Sequence, residues 1–140
     1  MKTDTKNFKD RIKEEMSVDY SNALERNFEI AKKFIRVTNE GKVSLLTKDK
    51  LSGKEQILLY LIGKLYAKEA GFSNNHEVDN KELMNELGIP KGSLLPWLMD
   101  LRKKPGIKQV KKGKNTNHYV PIHLVEKILK ETEKKGSLKQ

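Results

Sequence analysis

Residues Lys91 to Tyr119 read KGSLLPWLMDLRKKPGIKQVKKGKNTNHY, and this run decides both the fold and the surface of the chain. Leu94, Leu98 and Leu101 recur at the three- and four-residue spacing of one helix face. Ser93 is placed to cap that helix, which puts Pro96 in its first turn, where a missing N–H is tolerated. Lys104-Pro105-Gly106 then breaks it. The segments Ile107 to Lys111 and His118 to Ile122 read as strands around a polar loop, Lys112 to Asn117. The charge is as telling as the pattern. Lys91, Arg102, Lys103, Lys104, Lys108, Lys111, Lys112 and Lys114 are balanced by Asp100 alone, a net +7 out of +10 for the whole chain. From Gly53 to Pro90 there are four lysines against six acids, a net −2. The basic excess is therefore placed on one helix and one hairpin, an electrostatic footprint for a polyanion. The competing reading is a lysine-rich solvated face.

Upstream, Ser52-Gly53-Lys54-Glu55 has capping-box spacing, and the helix it opens runs to about Ala70, with Gly71 placed to end it. Ile57, Leu58, Leu59, Tyr60, Leu61 and Ile62 leave that helix almost no polar face at its start. A helix apolar nearly all round must be covered on several sides, so it is expected at the centre of the core. Glu77-Val78 reads as a short strand. Asp79-Asn80-Lys81-Glu82 caps a short helix that uses Leu83, Met84 and Leu87 and stops at Gly88. Ile89-Pro90-Lys91-Gly92 is a tight turn.

The first fifty residues hold a second set of signals. Phe8, Ile12 and Met16 are four apart, one weak helical stripe, with fraying expected at the start. From about Asp19 to Arg36, Leu24, Phe28, Ala31 and Ile35 predict one amphipathic helix. Arg36-Val37-Thr38, the turn Asn39 to Lys42 with Gly41, and Val43-Ser44-Leu45 predict a short hairpin. After the basic run, Leu124, Val125, Ile128 and Leu129 mark a terminal helix from about His123 to Lys135, and Gly136 to Gln140 are expected to be disordered.

The 140 residues bound one domain, or a small domain with an extension. With 34% charged residues, the core is expected to be thin. The absence of cysteine excludes disulfides, thiol nucleophiles and cysteine-bound zinc. No apolar run reaches the ~18 residues of a spanning helix, and Met1 to Lys13 lacks an apolar signal region. No membrane association and a cytoplasmic location are the expectations.

The order of helix, short strand, short helix, tight turn, helix and hairpin resembles the winged helix-turn-helix superfamily of nucleic-acid-binding domains. The residues that carry the resemblance are Glu82-Leu83, Leu87-Gly88-Ile89, Ser93-Leu94, Leu98, Leu101 and Ile107. The resemblance implies a mainly α fold with small β (α+β). It divides the chain into a helix-and-hairpin extension over 1–51, a winged helix-turn-helix over 52–122, and a C-terminal helix with its tail over 123–140. It makes residues 93–103 the recognition helix and 107–122 the wing. DNA contacts are then expected from Lys91, Ser93, Leu95, Met99, Arg102 and Lys103 on the helix. On the wing they are expected from Lys111, Lys112, Lys114, Asn115 and Asn117. Leu95, Pro96 and Met99 depart from the pattern, being apolar where polar side chains read base edges. They fit thymine methyls, or burial against the extension or a protein partner. Trp97 is expected to be partly buried core. Lysine far outnumbers the four arginines, which favours phosphate contact over bidentate guanine readout.

Enzyme chemistry has little support. His76, His118 and His123 lack metal-ligand spacing, and Gly53-Lys54 and Gly113-Lys114 lack the upstream glycine of a phosphate loop. No catalytic residue, metal or cofactor is expected. The sequence reads best as a double-stranded DNA-binding protein, a transcriptional regulator. The alternatives are a winged helix that docks protein within a nucleic-acid-processing complex, or one that binds structured RNA. A homodimer is also expected, built on the terminal helix or on the N-terminal helix.

Overall fold

The computed structural model describes residues 7–17 and 22–138. The chain is mixed α+β, with two small antiparallel sheets set around one long helix. Helix α1 (Phe8–Glu15) is followed by two single-turn helices, α2 (Ala23–Arg26) and α3 (Phe28–Ala31), and by the hairpin β1 (Ile35–Val37) and β2 (Val43–Leu45). The long helix is α4 (Gly53–Glu69). Then come β3 (Val78–Asp79), α5 (Asn80–Leu87), α6 (Lys91–Lys103), β4 (Lys108–Lys112), β5 (Asn115–Tyr119) and α7 (Val125–Leu138).

Helix α4 forms as its sequence requires. Ser52 Oγ accepts from the Glu55 N–H at 3.1 Å, and the Glu55 carboxylate accepts from the Ser52 N–H at 2.8 Å, closing the capping box. At the other end Gly71 takes φ +81°. Its N–H reaches the Lys68 carbonyl and that of Phe72 reaches Ala67, a Schellman closure of the last turn. Between these caps Ile57, Leu59, Leu61 and Ile62 have no exposed surface, and Tyr60 almost none.

Cover for α4 comes from both halves of the chain. The β1–β2 hairpin lies along one side of it. A Cβ on Gly63 would stand 2.5 Å from Val43 Cγ1, so the missing side chain is what lets the hairpin come this close. The hairpin turn is pinned too: Gly41, at φ +86°, faces the Phe72 carbonyl with no room for a Cβ. Helices α5, α6 and α7 and strand β5 close the other sides. One contiguous core runs from Leu24 to Leu129.

Near the N-terminus the structure departs from the single helix expected to reach Arg36; the start expected at Asp19 lies outside the described residues. Asn27 divides α2 from α3, and its side-chain N–H groups donate to the Ala23 carbonyl at 2.8 Å and to Glu126 at 3.3 Å. An asparagine that bonds its own backbone offers the chain an alternative to continuing the helix. Leu24, Ala31 and Ile35 are buried as the pattern implied, but Phe28 stays 47% exposed. The stripe Phe8, Ile12 and Met16 does form a helix, yet no residue of α1 is buried.

Strand β5 pairs with both β3 and β4, in the order β3-β5-β4. Asp79 Oδ1 accepts from the Glu82 N–H at 2.8 Å to start α5, and Gly88 ends it at φ +68°. Helix α6 begins earlier than Ser93. The Pro90 carbonyl accepts from both Ser93 and Leu94, so Ser93 lies in the first turn without a capping role. Pro96 consequently falls in the second turn rather than the first. The β4–β5 ladder also runs further than expected, with Lys112 opposite Asn115. Only Gly113 and Lys114 remain as the turn, with Gly113 at φ +63°, the glycine-first pattern of a two-residue hairpin. Asn115 and Asn117 are thus strand residues, not loop residues.

Helix α7 buries Val125, Ile128 and Leu129 against α2, α3 and α4, and it continues to Leu138 where disorder was expected over Gly136 to Gln140, of which residues 139–140 lie outside the described residues. Val125, Ile128 and Leu129 of the expected apolar stripe therefore belong to the core of the single chain, while Leu124 is half-buried. No helix among the described residues is long and apolar enough to cross a membrane.

Trp97 is half-buried on α6 and lies over Gly53, the first residue of α4; a Cβ there would stand 2.2 Å from the indole ring. Gly53→Ala is expected to cost about 1–3 kcal/mol through overpacking. Trp97→Leu should relieve part of that cost, so chemical denaturation of the double-mutant cycle should show coupling of at least ~0.5 kcal/mol. Additive effects would mean that the ring does not rest there. Removing residues 1–47 should strip Ile35 and Val43 from α4 and abolish cooperative melting, measured by circular dichroism.

Candidate nucleic-acid interface

The outer face of α6 is set by its inner one. Leu94, Leu98 and Leu101 are buried, and Lys91, Leu95 and Met99, four apart, form an exposed row that flanks that face. Leu95 is 42% exposed and Met99 53%, which rules out burial of these two against the extension. Pro96 and Lys103 are exposed beside them, while Ser93 and Arg102 are half-buried.

The β4–β5 hairpin sorts its side chains by the two-residue period of a strand. His118 and Gln109 are opposite one another, as are Thr116 and Lys111, and these four share one face. That face is the inner one, because His118 and its β3 neighbour Val78 are fully buried. Lys111 therefore extends the side of the sheet that is applied to the helices. Val110 with Asn117 and Lys112 with Asn115 occupy the other face. There the Lys112 ammonium is 2.8 Å from the carboxylate of Glu77. Hydrogen bonding to Lys112 and to Asn117 holds the Glu77 carboxyl below its usual range against the opposing effect of burial.

The sequence-derived set thus divides. Lys91, Leu95, Met99 and Lys103 share the exposed side of α6. Arg102 is close enough to β5 for its charge to act on His118, which links the end of that helix to the inner face carrying Lys111. Lys114 is at the hairpin turn and exposed. Lys112, Asn115 and Asn117 are on the outer face, with Lys112 and Asn117 engaged by Glu77. The sequence placed Glu77 on a short strand but gave it no part in the site. Its place follows only from the Val78–His118 register, which brings the distant β3 beside the hairpin. Asp100, the one acid in the basic run, is tied to Lys54 at 2.9 Å at the start of α4, and that bond lowers its pKa.

His118 is structural. Its Nε2 is 2.6 Å from Asn80 Oδ1, which requires Nε2 to carry the proton, and Nδ1 is buried without a hydrogen-bond partner among the described residues. Burial first, and then the Arg102 charge, press its pKa down to about 4. His76 packs edge-on against Tyr119, with ring centroids 5.1 Å apart. Among the described residues no three His, Asp or Glu side chains converge in a way that could hold a metal ion. Comparison with known proteins finds no matching family model, no matching curated protein and no matching solved structure.

The His118 shift has a sign. The unfolded chain binds a proton near the ordinary pKa of 6.5, while the folded chain does so only near 4. Stability from this group is complete above the unfolded value and falls as pH drops through that window, by roughly 2–3 kcal/mol in all. Burial also lowers His76, which adds in the same direction. Denaturant unfolding of the native chain and of His118→Gln between these two pH values should show a flatter dependence in the variant. Equal slopes would mean that His118 does not stay neutral.

Proposed function

We propose that this chain is a winged helix-turn-helix protein that binds double-stranded DNA and acts as a transcriptional regulator. Helix α5 and the turn at Gly88 lead into α6 as the recognition helix, and the β4–β5 hairpin is the wing. The sheet order β3-β5-β4 and the succession α4, β3, α5, α6, β4, β5 support this reading. The single observation that carries it is the exposure of unpaired basic side chains on both α6 and the hairpin. Lys91 and Lys103 on α6, Lys111 on the inner face of the wing and Lys114 at its turn are exposed, and the acids Asp100 and Glu77 are each paired to a lysine outside this set. Phosphate contact by these ammonium groups positions the duplex, and the apolar Leu95 and Met99 meet sugars and thymine methyls.

Exposure of Leu95 and Met99 favours a second reading, a protein partner at Leu95, Pro96 and Met99. Fluorescence anisotropy with random duplex DNA across a salt series separates the two. If Lys91, Lys103, Lys111, Lys114 and Arg102 neutralise four or five phosphates, log affinity should fall against log salt with a slope of about −4. Lys111→Ala and Lys114→Ala should each flatten the slope by about one unit. Lys112→Ala should flatten it less, because Glu77 already holds that charge, and Glu77→Gln should tighten binding. A slope near zero would transfer the function to the apolar face.

A further inference from the structure

Between the lysines at its two ends, α6 exposes Gly92, Leu95, Pro96, Met99 and Asp100. Asp100 is tied to Lys54 at 2.9 Å. That leaves no exposed arginine, asparagine, glutamine, serine or threonine along the helix. Ser93 is half-buried, and by the period of the helix it is turned about 160° from Leu95. Arg102 is half-buried, close enough to His118 for its charge to act there. On the hairpin, Asn117 is engaged by Glu77, and Asn115 lies on the outer face with Lys112. The side chains that read hydrogen-bonding base edges are therefore missing from the exposed row of α6. What the helix presents there is apolar: Leu95 and Met99, with Lys91 and Lys103 beyond them.

We infer that α6 recognises its duplex through the 5-methyl groups of pyrimidines, with Leu95 and Met99 as the reading side chains, so that 5-methylcytosine is accepted as thymine is. The inference rests on the DNA-binding reading above and names what that site reads. The thymine methyl is the apolar group that the major groove of unmodified DNA offers. A polar base edge pressed against Leu95 or Met99 would lose its water and gain no partner, whereas a methyl loses nothing. Leu95 and Met99 are one turn apart, about 6 Å along the axis, close to two base-pair steps of about 3.4 Å. The flexible thioether of Met99 can follow a methyl at either step. Charge selects the occupant. Lys91 and Lys103 bracket the apolar pair, about 18 Å apart along the axis. Lysine stems lie along apolar surface while their ammonium groups reach out to phosphate. Neither lysine is held in an ion pair among the described residues, although Lys103 is near enough to Asp100 for their charges to act on one another. Lysine is depleted in protein–protein interfaces, so two apolar side chains between two lysines suit a nucleic-acid groove rather than a protein partner.

The test is fluorescence anisotropy of the full chain with four duplexes of equal length at one low salt concentration, which holds the phosphate contribution constant. Two contain only A·T pairs, one with thymine and one with uracil in its place. Two contain only G·C pairs, one with cytosine and one with 5-methylcytosine. Uracil in place of thymine should weaken binding roughly fifteenfold, about fourfold for each of two methyl contacts. 5-Methylcytosine in place of cytosine should strengthen it by a similar factor. Leu95→Ala with Met99→Ala should erase both differences while the salt slope and the melting temperature stay as they were, since both side chains are exposed. Salt-dependent but equal binding to all four duplexes would overturn the inference and leave the DNA reading standing. Methyl preferences that survive in the double variant would overturn it too, because they would come from the shape of the duplex. Absence of salt-dependent binding to any of the four would remove the DNA reading and this inference with it.

Discussion

Everything in this structure answers to the need to cover α4. Ile57, Leu59, Leu61 and Ile62 point to different sides of the helix, and none retains exposed surface. A helix of that kind has no solvent face to offer at its start, so it draws elements from the whole chain around it. Burial of each large apolar side chain contributes about 1.5–3 kcal/mol, and that contribution holds the hairpin, the three-stranded sheet and α7 in place together. Glycine sets the distances. Gly63 admits the hairpin and Gly53 admits Trp97, so two residues without side chains fix where the neighbours of α4 lie.

Legibility in the sequence followed the range of the interaction. Caps, turns and amphipathic spacing are local, and so the Ser52 capping box, the Asp79 cap, the Gly88 stop and the β1–β2 hairpin could all be read from adjacent residues. The errors arose where two local signals compete or where the decisive partner is distant. Asn27 ends a helix that the apolar spacing would have continued, and part of its reason is Glu126, ninety-nine residues away. Ser93 looks like a cap, but the Pro90 carbonyl had already opened the helix. Hairpin length was underestimated because polar residues in a two-stranded ladder look like loop. The α+β class was legible; the face to which each hairpin residue belongs was not.

That last point governs the candidate interface. A hairpin with lysines at successive positions cannot place them together, because neighbours in a strand point to opposite faces. Lys111 and Lys112 look equivalent in sequence, yet one shares the face of His118 and the other meets Glu77. Reading the run as a single basic cluster overcounts the charge available to one ligand.

Asp100 interrupts the basic run in sequence but turns to Lys54 at the start of α4, and Glu77 withdraws Lys112 on the outer face. Each pairing removes one lysine together with one carboxylate, so the local net charge is unchanged while its distribution sharpens. Lys91, Lys103, Lys111 and Lys114 are left exposed, with no ion pair to either of those acids. Asp100 stays near enough to Lys103 for the two charges to act on one another, so the pairing to Lys54 moderates this acid without removing it from the surface of α6. The paired acids therefore belong to the electrostatics of the candidate interface as much as the lysines do.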